Sequence, residues 1–279
     1  MSSRIRINNL EMNISLACNL KCEYCSHFGR YAQGIVPFDD LSFWYKSWNH
    51  KILPGSIRIM GGEPLLHPAL VEIFRMTKND WIGSRVELIT NGLLIPKMTG
   101  EFFTAIRENE VSVTVSRHFD DPEYNRLFQP GIDLLRSHGI EPNISQSNWF
   151  WTKYYQLNEQ GMAVPFQSDP EKAWQNCFVK LNCMTLHDNK LYRCPQLACA
   201  AYARKNNRIP KDWDIVLGYP ALTPECSHEA LEEFVQHKAC PQCSICPETF
   251  EYMDMYQKLN GFGLSQLKKA FCGECHESR

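Results

Sequence analysis

The chain has 279 residues, 44% of them hydrophobic, which suits one large α/β domain, or one of about 170–200 residues with a small appendage. Its 29 Lys and Arg against 31 Asp and Glu leave a net charge of −2, which argues against a nucleic-acid or anionic-membrane partner. No apolar run approaches the roughly 18 residues of a membrane span, and the start, MSSRIRINNL, lacks the apolar core of a signal peptide, so a soluble cytoplasmic protein is expected.

Strand and helix signals alternate through the first two-thirds. EMNISLAC (11–18) reads as a strand running into a cysteine loop, and DDLSFWYKSWNHKI (39–52) as a helix with an Asp cap. SIRIMGG (56–62) is a strand ending in glycines, and HPALVEIFRMTKND (67–80) a helix with Pro near its first turn. A strand over 84–92 precedes a helix over 100–109, and VSVTVSRHF (111–119) alternates as a β-branched strand. Residues 124–139 are expected to be helical in two pieces, interrupted at Pro130-Gly131, and 140–146 to form a fifth strand. Repeated βα units imply a parallel sheet with right-handed crossovers. Five or six units suit an α/β fold of the partial (β/α)6 barrel kind over 1–176, followed by a small cysteine-rich α+β domain over 177–279. The aromatic stretch 148–155 reads as a buried helix or as a loop over the barrel mouth. Beyond Cys177, MTLHDNKLYRC (184–194) reads as a hairpin turning at Asp188-Asn189, and helices are expected over 228–238 and 248–269.

The chain has 13 cysteines, and none falls in 26–176. An odd, clustered set fits a disulfide framework poorly, and tight Cys-x-x-Cys spacing in a cytosolic chain more often binds metal. Cys18, Cys22 and Cys25 lie on one loop and supply three thiolates, one short of a closed zinc site, for which His27 is an awkward fourth ligand. A four-iron cluster on three thiolates instead leaves one iron open to an outside ligand. Spacing alone leaves both metals open. The second set is Cys177, Cys183, Cys194, Cys240, Cys243 and Cys246, with Cys199, Cys226, Cys272 and Cys275 besides.

CNLKCEYC after the first strand, GGEP (61–64) at the end of the second, TNG (90–92) at the end of the third and Ser116-Arg117 at the end of the fourth come in this order on successive βα units. In this the sequence resembles the radical S-adenosylmethionine superfamily over about residues 8–150. The resemblance implies a [4Fe–4S] cluster on Cys18, Cys22 and Cys25 whose open iron takes the amine and carboxylate of S-adenosylmethionine. One electron then cleaves the cofactor to a 5′-deoxyadenosyl radical that takes hydrogen from substrate. It implies further that Gly61 and Gly62 let backbone approach the ligand and that Glu63, beside Pro64, meets the methionine ammonium. Asn91 and Ser116 are then hydrogen-bonding partners of ribose or methionine, and Tyr24 packs on the cluster and offers backbone to adenine. Reactive groups at the C-terminal ends of parallel strands agree with this reading. His27 becomes a neighbour of the active site.

The cysteines from 177 to 246 resemble the C-terminal extensions of that superfamily called SPASM and twitch, with Asp188-Asn189 where Gly is common. The resemblance implies one or two auxiliary [4Fe–4S] clusters, of which one is expected here, with Cys177, Cys194, Cys243 and Cys246 as one ligand set and Cys183 and Cys240 competing. Cys272 and Cys275 are expected in a tail, and Cys199 and Cys226 as structural thiols, one of which an epimerase would use to donate hydrogen. The implied function is dehydrogenation or epimerisation of a small hydroxylated molecule (sugar, aminocyclitol or nucleotide), with flavodoxin or ferredoxin as electron donor. Candidate substrate contacts are Arg117, for a phosphate or carboxylate, His118, for the hydroxyl proton, Gln146 and Trp149. A second reading is a peptide-modifying maturase. It is disfavoured because only ten residues precede the first expected strand, where many such enzymes carry a peptide-recognition domain.

Overall fold

The computed structural model describes residues 4–119, 121–146, 151–177, 179–180, 183–236, 238–249 and 252–253. Four βα units and a fifth strand open the fold: β1 (Ile5–Ser15), α1 (Phe38–Trp48), β2 (Ile52–Gly61), α2 (Leu70–Asp80), β3 (Arg85–Thr90), α3 (Gly100–Glu108), β4 (Val111–Ser116), α4 (Pro122–Ser137) and β5 (Asn143–Ser145). The strands β1 to β5 pair in sequence order and in parallel. Two short antiparallel ladders follow, β7 (Gln156–Leu157) with β8 (Ala163–Val164), and β6 (Trp151–Thr152) with β11 (Tyr252–Met253). The rest of the second half comprises α5 (Pro170–Gln175), β9 (Met184–His187), β10 (Lys190–Tyr192), α6 (Pro195–Lys205) and α7 (His228–Val235), with 3-10 turns at Lys211–Gly218 and Pro241–Ile245.

The expected hairpin forms, and it joins the main sheet. β9 lies parallel to β1, with Leu10, Glu11 and Met12 opposite Met184, Thr185 and Leu186, and β10 folds back antiparallel. The sheet therefore has the order β10-β9-β1-β2-β3-β4-β5, six parallel strands and one antiparallel, in an open partial-barrel arrangement. The sixth parallel strand comes from beyond residue 177 and sits beside β1, not β5. Asp188 and Asn189 both adopt left-handed backbone (φ 51° and 53°), the geometry of a type I′ turn, which short polar side chains tolerate.

Several expected boundaries shift. β1 and β2 start earlier, at Ile5 and Ile52, so the first helix ends at Trp48 and not near residue 52. The helix expected in two pieces is one, α4, capped by the Asp121 carboxylate, which accepts from the Glu123 and Tyr124 N–H groups. Pro130 forfeits one helical bond without ending it. Gly131 is there for packing: a Cβ at this position would stand 2.8 Å from the Gly92 carbonyl oxygen. The described part of 148–155 is strand and loop, not helix. The helix expected over 248–269 is replaced at 252–253 by strand β11, and its remainder falls largely outside the described residues.

The period of two divides each strand into faces. Leu10, Met12, Ile14, Ile57, Ile59, Leu88, Val113 and Val115 fill the core shared with the helices. Glu11, Asn13, Arg58, Glu87, Thr114 and Asn143 occupy the alternate positions and so share the inner face. Among the described residues no helix is long and apolar enough to cross a membrane.

Candidate active site and cysteine clusters

The cysteine loop leaves β1 at Ser15, at the C-terminal end of the sheet. Cys22 is buried, and Cys18 and Cys25 are half-buried. Burial first, and then the Glu63 carboxylate at Cys18 and the neighbouring thiols at Cys22, push these two thiols well above their ordinary range, and burial raises Cys25. Three such thiols side by side are poorly placed as free acids and well placed to share a positive group. The loop is seated on aromatic rings. Tyr24 stands 5.4 Å from Tyr155, and Phe28 stands 5.3 Å from Tyr155 and 5.1 Å from Trp213, centroid to centroid. Tyr24 and Phe28 both carry positive φ (56° and 54°), uncommon for aromatic residues, and the packing holds them there.

The GGEP segment locks the strand ends together. The Gly62 N–H donates to the Ser15 carbonyl (2.7 Å) and the Glu63 N–H to the Ala17 carbonyl (2.9 Å). A Cβ on Gly61 would stand 2.1 Å from Ser15 O, and one on Gly62 2.3 Å from Ala17 O. The close approach these glycines permit is thus to the stem of the cysteine loop. Glu63 is fully buried, and the Thr90 hydroxyl (2.6 Å), the Asn91 N–H (2.9 Å) and the Leu65 N–H (3.0 Å) all donate to its carboxylate. Pro64 is buried in the 3-10 turn that Glu63 caps. The Asn91 amide in turn donates to Asn19 Oδ1 (2.7 Å), between Cys18 and Cys22. A chain of contacts therefore runs from the second strand end through the third to the cysteine loop.

Burial raises the Glu63 carboxyl to about 7, against the pull of its three donors. The folded chain then keeps a proton that the unfolded chain gives up, so stability falls as pH rises from about 4.5 to about 7, by up to about 3 kcal/mol. Thermal unfolding across pH 5 to 7.5 is expected to show wild type losing Tm relative to Glu63→Gln as pH rises. The opposite trend would mean that the donors outweigh burial.

Below the loop, the inner face carries a row of charge. Arg58 lies between Glu87 (Nε to Oε2 3.2 Å) and Glu11 (Nη1 to Oε1 3.9 Å), and the Thr114 hydroxyl donates to Glu87 Oε1 at 2.6 Å. His27 turns toward this row, its Nε2 3.7 Å from Glu11 Oε2. Cys183 also faces it, 3.9 Å from Arg58 Nη1. At the mouth, Ser116 ends β4 beside Ser145. The Arg117 guanidinium donates to Asn125 Oδ1 (2.7 Å), and burial lowers the His118 imidazole to about 4. Gln146 follows β5, half-buried. Trp149 lies outside the described residues. The charged row was missed in the sequence. Its signal was the presence of Glu11, Arg58 and Glu87 at alternate positions of strands whose other face is apolar.

The second cysteine set converges. Cys177, Cys194, Cys243 and Cys246 line one pocket, with Tyr154, Trp174 and Ile245 among its walls. Cys240 stands just outside, its sulfur 3.7 Å from that of Cys243, while Cys183 lies toward Glu11. Cys199 is buried in α6, where the Asn13 amide reaches its sulfur at 3.4 Å. Cys226 is half-buried, with its carbonyl accepting from Lys51 Nζ. Cys272 and Cys275 lie outside the described residues. Among the described residues, no three His, Cys, Asp or Glu side chains converge on one point as a mononuclear zinc site requires. Three thiols on one loop and four around one pocket are the donor chemistry an iron–sulfur group uses.

Residues 12–141 match the radical SAM superfamily. The chain is 33% identical over 142 residues to a protein of Methanococcus maripaludis named "Probable GTP 3',8-cyclase", covering 50% of this chain and 46% of that one. It is 29% identical over 139 residues to the GTP 3',8-cyclase of Alkaliphilus oremlandii, covering 47% and 41%. The chain thus spans under half the length of these relatives. Among solved structures, BtrN in complex with AdoMet and 2-DOIA aligns over 77% of this chain and 86% of its own, at 15% identity and a TM-score of 0.47. Streptococcus suis SuiB bound to S-adenosylmethionine aligns over 50% and 33%, at 18% identity and a TM-score of 0.40.

Proposed function

We propose, from the match of residues 12–141 to the radical SAM superfamily, a radical S-adenosylmethionine oxidoreductase. It takes a hydrogen atom from a small hydroxylated molecule (a sugar, aminocyclitol or nucleotide), with dehydrogenation or epimerisation as the outcome. The observation that carries this reading is a three-thiol loop opening over an inner face too charged for a packed core, with Glu11, Arg58 and Glu87 in hydrogen-bonding or ionic reach of one another. The names of the curated relatives add support for a nucleotide within that class.

Cys18, Cys22 and Cys25 would hold a [4Fe–4S] cluster with one open iron. Bound there, it would supply the electron for reductive cleavage of S-adenosylmethionine. Glu63, fixed by Thr90 and Asn91, presents a carboxylate to the methionine ammonium, and Gly61, Gly62 and Pro64 hold it against the loop. Asn91 and Ser116 offer hydrogen bonds at two strand ends, and Tyr24 walls the loop. The inner-face charges orient polar groups of the substrate by pairing with them. Arg117 and Gln146 close the mouth. His118, kept uncharged at neutral pH by burial, would accept a hydroxyl proton as a weak base. Cys177, Cys194, Cys243 and Cys246, with Cys183 and Cys240 near them, would hold one auxiliary [4Fe–4S] cluster within the segment 177–279. The low-potential electron comes from flavodoxin or ferredoxin.

Anaerobic reconstitution is expected to give about eight irons per chain, and reduction with S-adenosylmethionine present to release 5′-deoxyadenosine. About four irons would remove the auxiliary site, and no 5′-deoxyadenosine would remove the whole reading. A ketone product assigns dehydrogenation, and solvent deuterium on recovered substrate assigns epimerisation.

A further inference from the structure

Gln196, the second residue of α6, is 2% exposed, and neither its Nε2 nor its Oε1 has a hydrogen-bond partner among the described residues. It lines the pocket that Cys177, Cys194, Cys243 and Cys246 share. A buried amide pays a desolvation cost unless something accepts its hydrogens. The remaining walls, Tyr154, Ala173, Trp174, Leu197 and Ile245 among them, are largely apolar. What the pocket does offer is sulfur. The start of α6 also faces it, since the Leu197 backbone N–H hydrogen-bonds Cys194. Helix N-termini favour negative charge.

Gln242, in the same pocket, behaves differently. Its Nε2 donates to the Ile215 carbonyl (3.4 Å), leaving only Oε1 without a partner among the described residues. An iron–sulfur group has no proton to give that oxygen. Gln196 presents N–H groups whichever way its amide is turned.

We propose that the Gln196 side-chain amide donates an N–H···S hydrogen bond to the auxiliary cluster held by these four cysteines, and thereby raises its reduction potential. The inference rests on the auxiliary-cluster reading above. Donors to sulfur stabilise the reduced, more negative state. Gln196 is a positioning residue that acts through the cluster, and its removal makes the cluster harder to reduce.

The test is EPR-monitored redox titration of the reconstituted full chain. In Gln196→Met the auxiliary signal is expected to need a more negative potential. At the wild-type midpoint the reduced-to-oxidised ratio should fall by roughly tenfold, which is about 59 mV for one electron. Gln242→Met should leave the midpoint where it was. Full iron with an unshifted midpoint in Gln196→Met, or equal shifts in both variants, overturns the proposal. Should Gln196→Met lose the auxiliary iron, wild type labelled with side-chain ¹⁵N-glutamine decides. Pulsed EPR of its reduced auxiliary cluster in D₂O is expected to show coupled ¹⁵N and an exchanged deuteron, and their absence overturns the bond. About four irons in wild type overturns the auxiliary reading itself, a separable outcome.

Discussion

Cys22→Ala is expected to abolish release of 5′-deoxyadenosine from S-adenosylmethionine and to lower iron from about eight to about four per chain. Cys22 is the most enclosed of the three loop thiols and part of the hydrophobic core, so no solvent ligand can take its place. Its neighbours Cys18 and Cys25 are buried acids whose thiolates repel one another, and only a shared positive group reverses that repulsion. Removing one thiolate removes a third of the loop's ligands. The measurement is liquid chromatography of the nucleoside product beside an iron assay. Cys226→Ser, on a half-buried thiol away from both clusters, should leave both readings unchanged. Sustained 5′-deoxyadenosine from Cys22→Ala would overturn the placement of the cofactor site on this loop.

Gly62→Ala should be among the most damaging changes outside the cysteines. Its new Cβ would meet Ala17 O at 2.3 Å, Ala17 C at 2.6 Å and Leu16 O at 2.7 Å. All three are backbone atoms, so no rotamer relieves the clash and the second strand end must separate from the cysteine loop. The bonds from Gly62 N–H to Ser15 and from Glu63 N–H to Ala17 go with it. The cost is expected at about 3 kcal/mol or more, a fall in Tm of roughly 10 °C. The iron carried by Cys18, Cys22 and Cys25 should fall with it, while auxiliary iron persists. Gly100→Ala, where an added Cβ meets nothing within 4 Å, should be near neutral. Equal behaviour of the two variants would show that the strand ends are not locked in the way the hydrogen bonds imply.

The first half of the fold was legible because its signals are local. Val111 to Ser116 alternates, the helices carry caps and apolar stripes, and the glycines mark strand ends. The candidate site was legible for the same reason, since CNLKCEYC and GGEP are short. Signals that are not local were lost. Nothing near Met184 announces that it will lie against Leu10, across more than 170 residues. The helix α6 was hidden because PQLACAAYARK is buried on almost every side and shows no polar stripe. Pro130 misled because it does break most helices, whereas here only one bond is lost. The inner-face charges went unremarked because they acquire meaning only when β1, β2 and β3 stand side by side.

The position of β9 has a consequence for the order of assembly. Until Met184 to His187 emerge, β1 is an edge strand whose Leu10 to Met12 backbone is open to any other extended chain. The loop that gathers three thiols hangs from that same strand. Iron delivered to a nascent or half-folded chain would therefore meet a cysteine loop whose supporting strand still lacks its outer neighbour. The short hairpin β9–β10 acts as a late closure, added by a long-range and hence slow contact. It covers Leu10 to Met12 of β1 and puts β10 beyond them. The two cysteine sets, far apart in sequence, are in this sense joined by folding: the strand that completes the first set's support lies between Cys183 and Cys194 of the second.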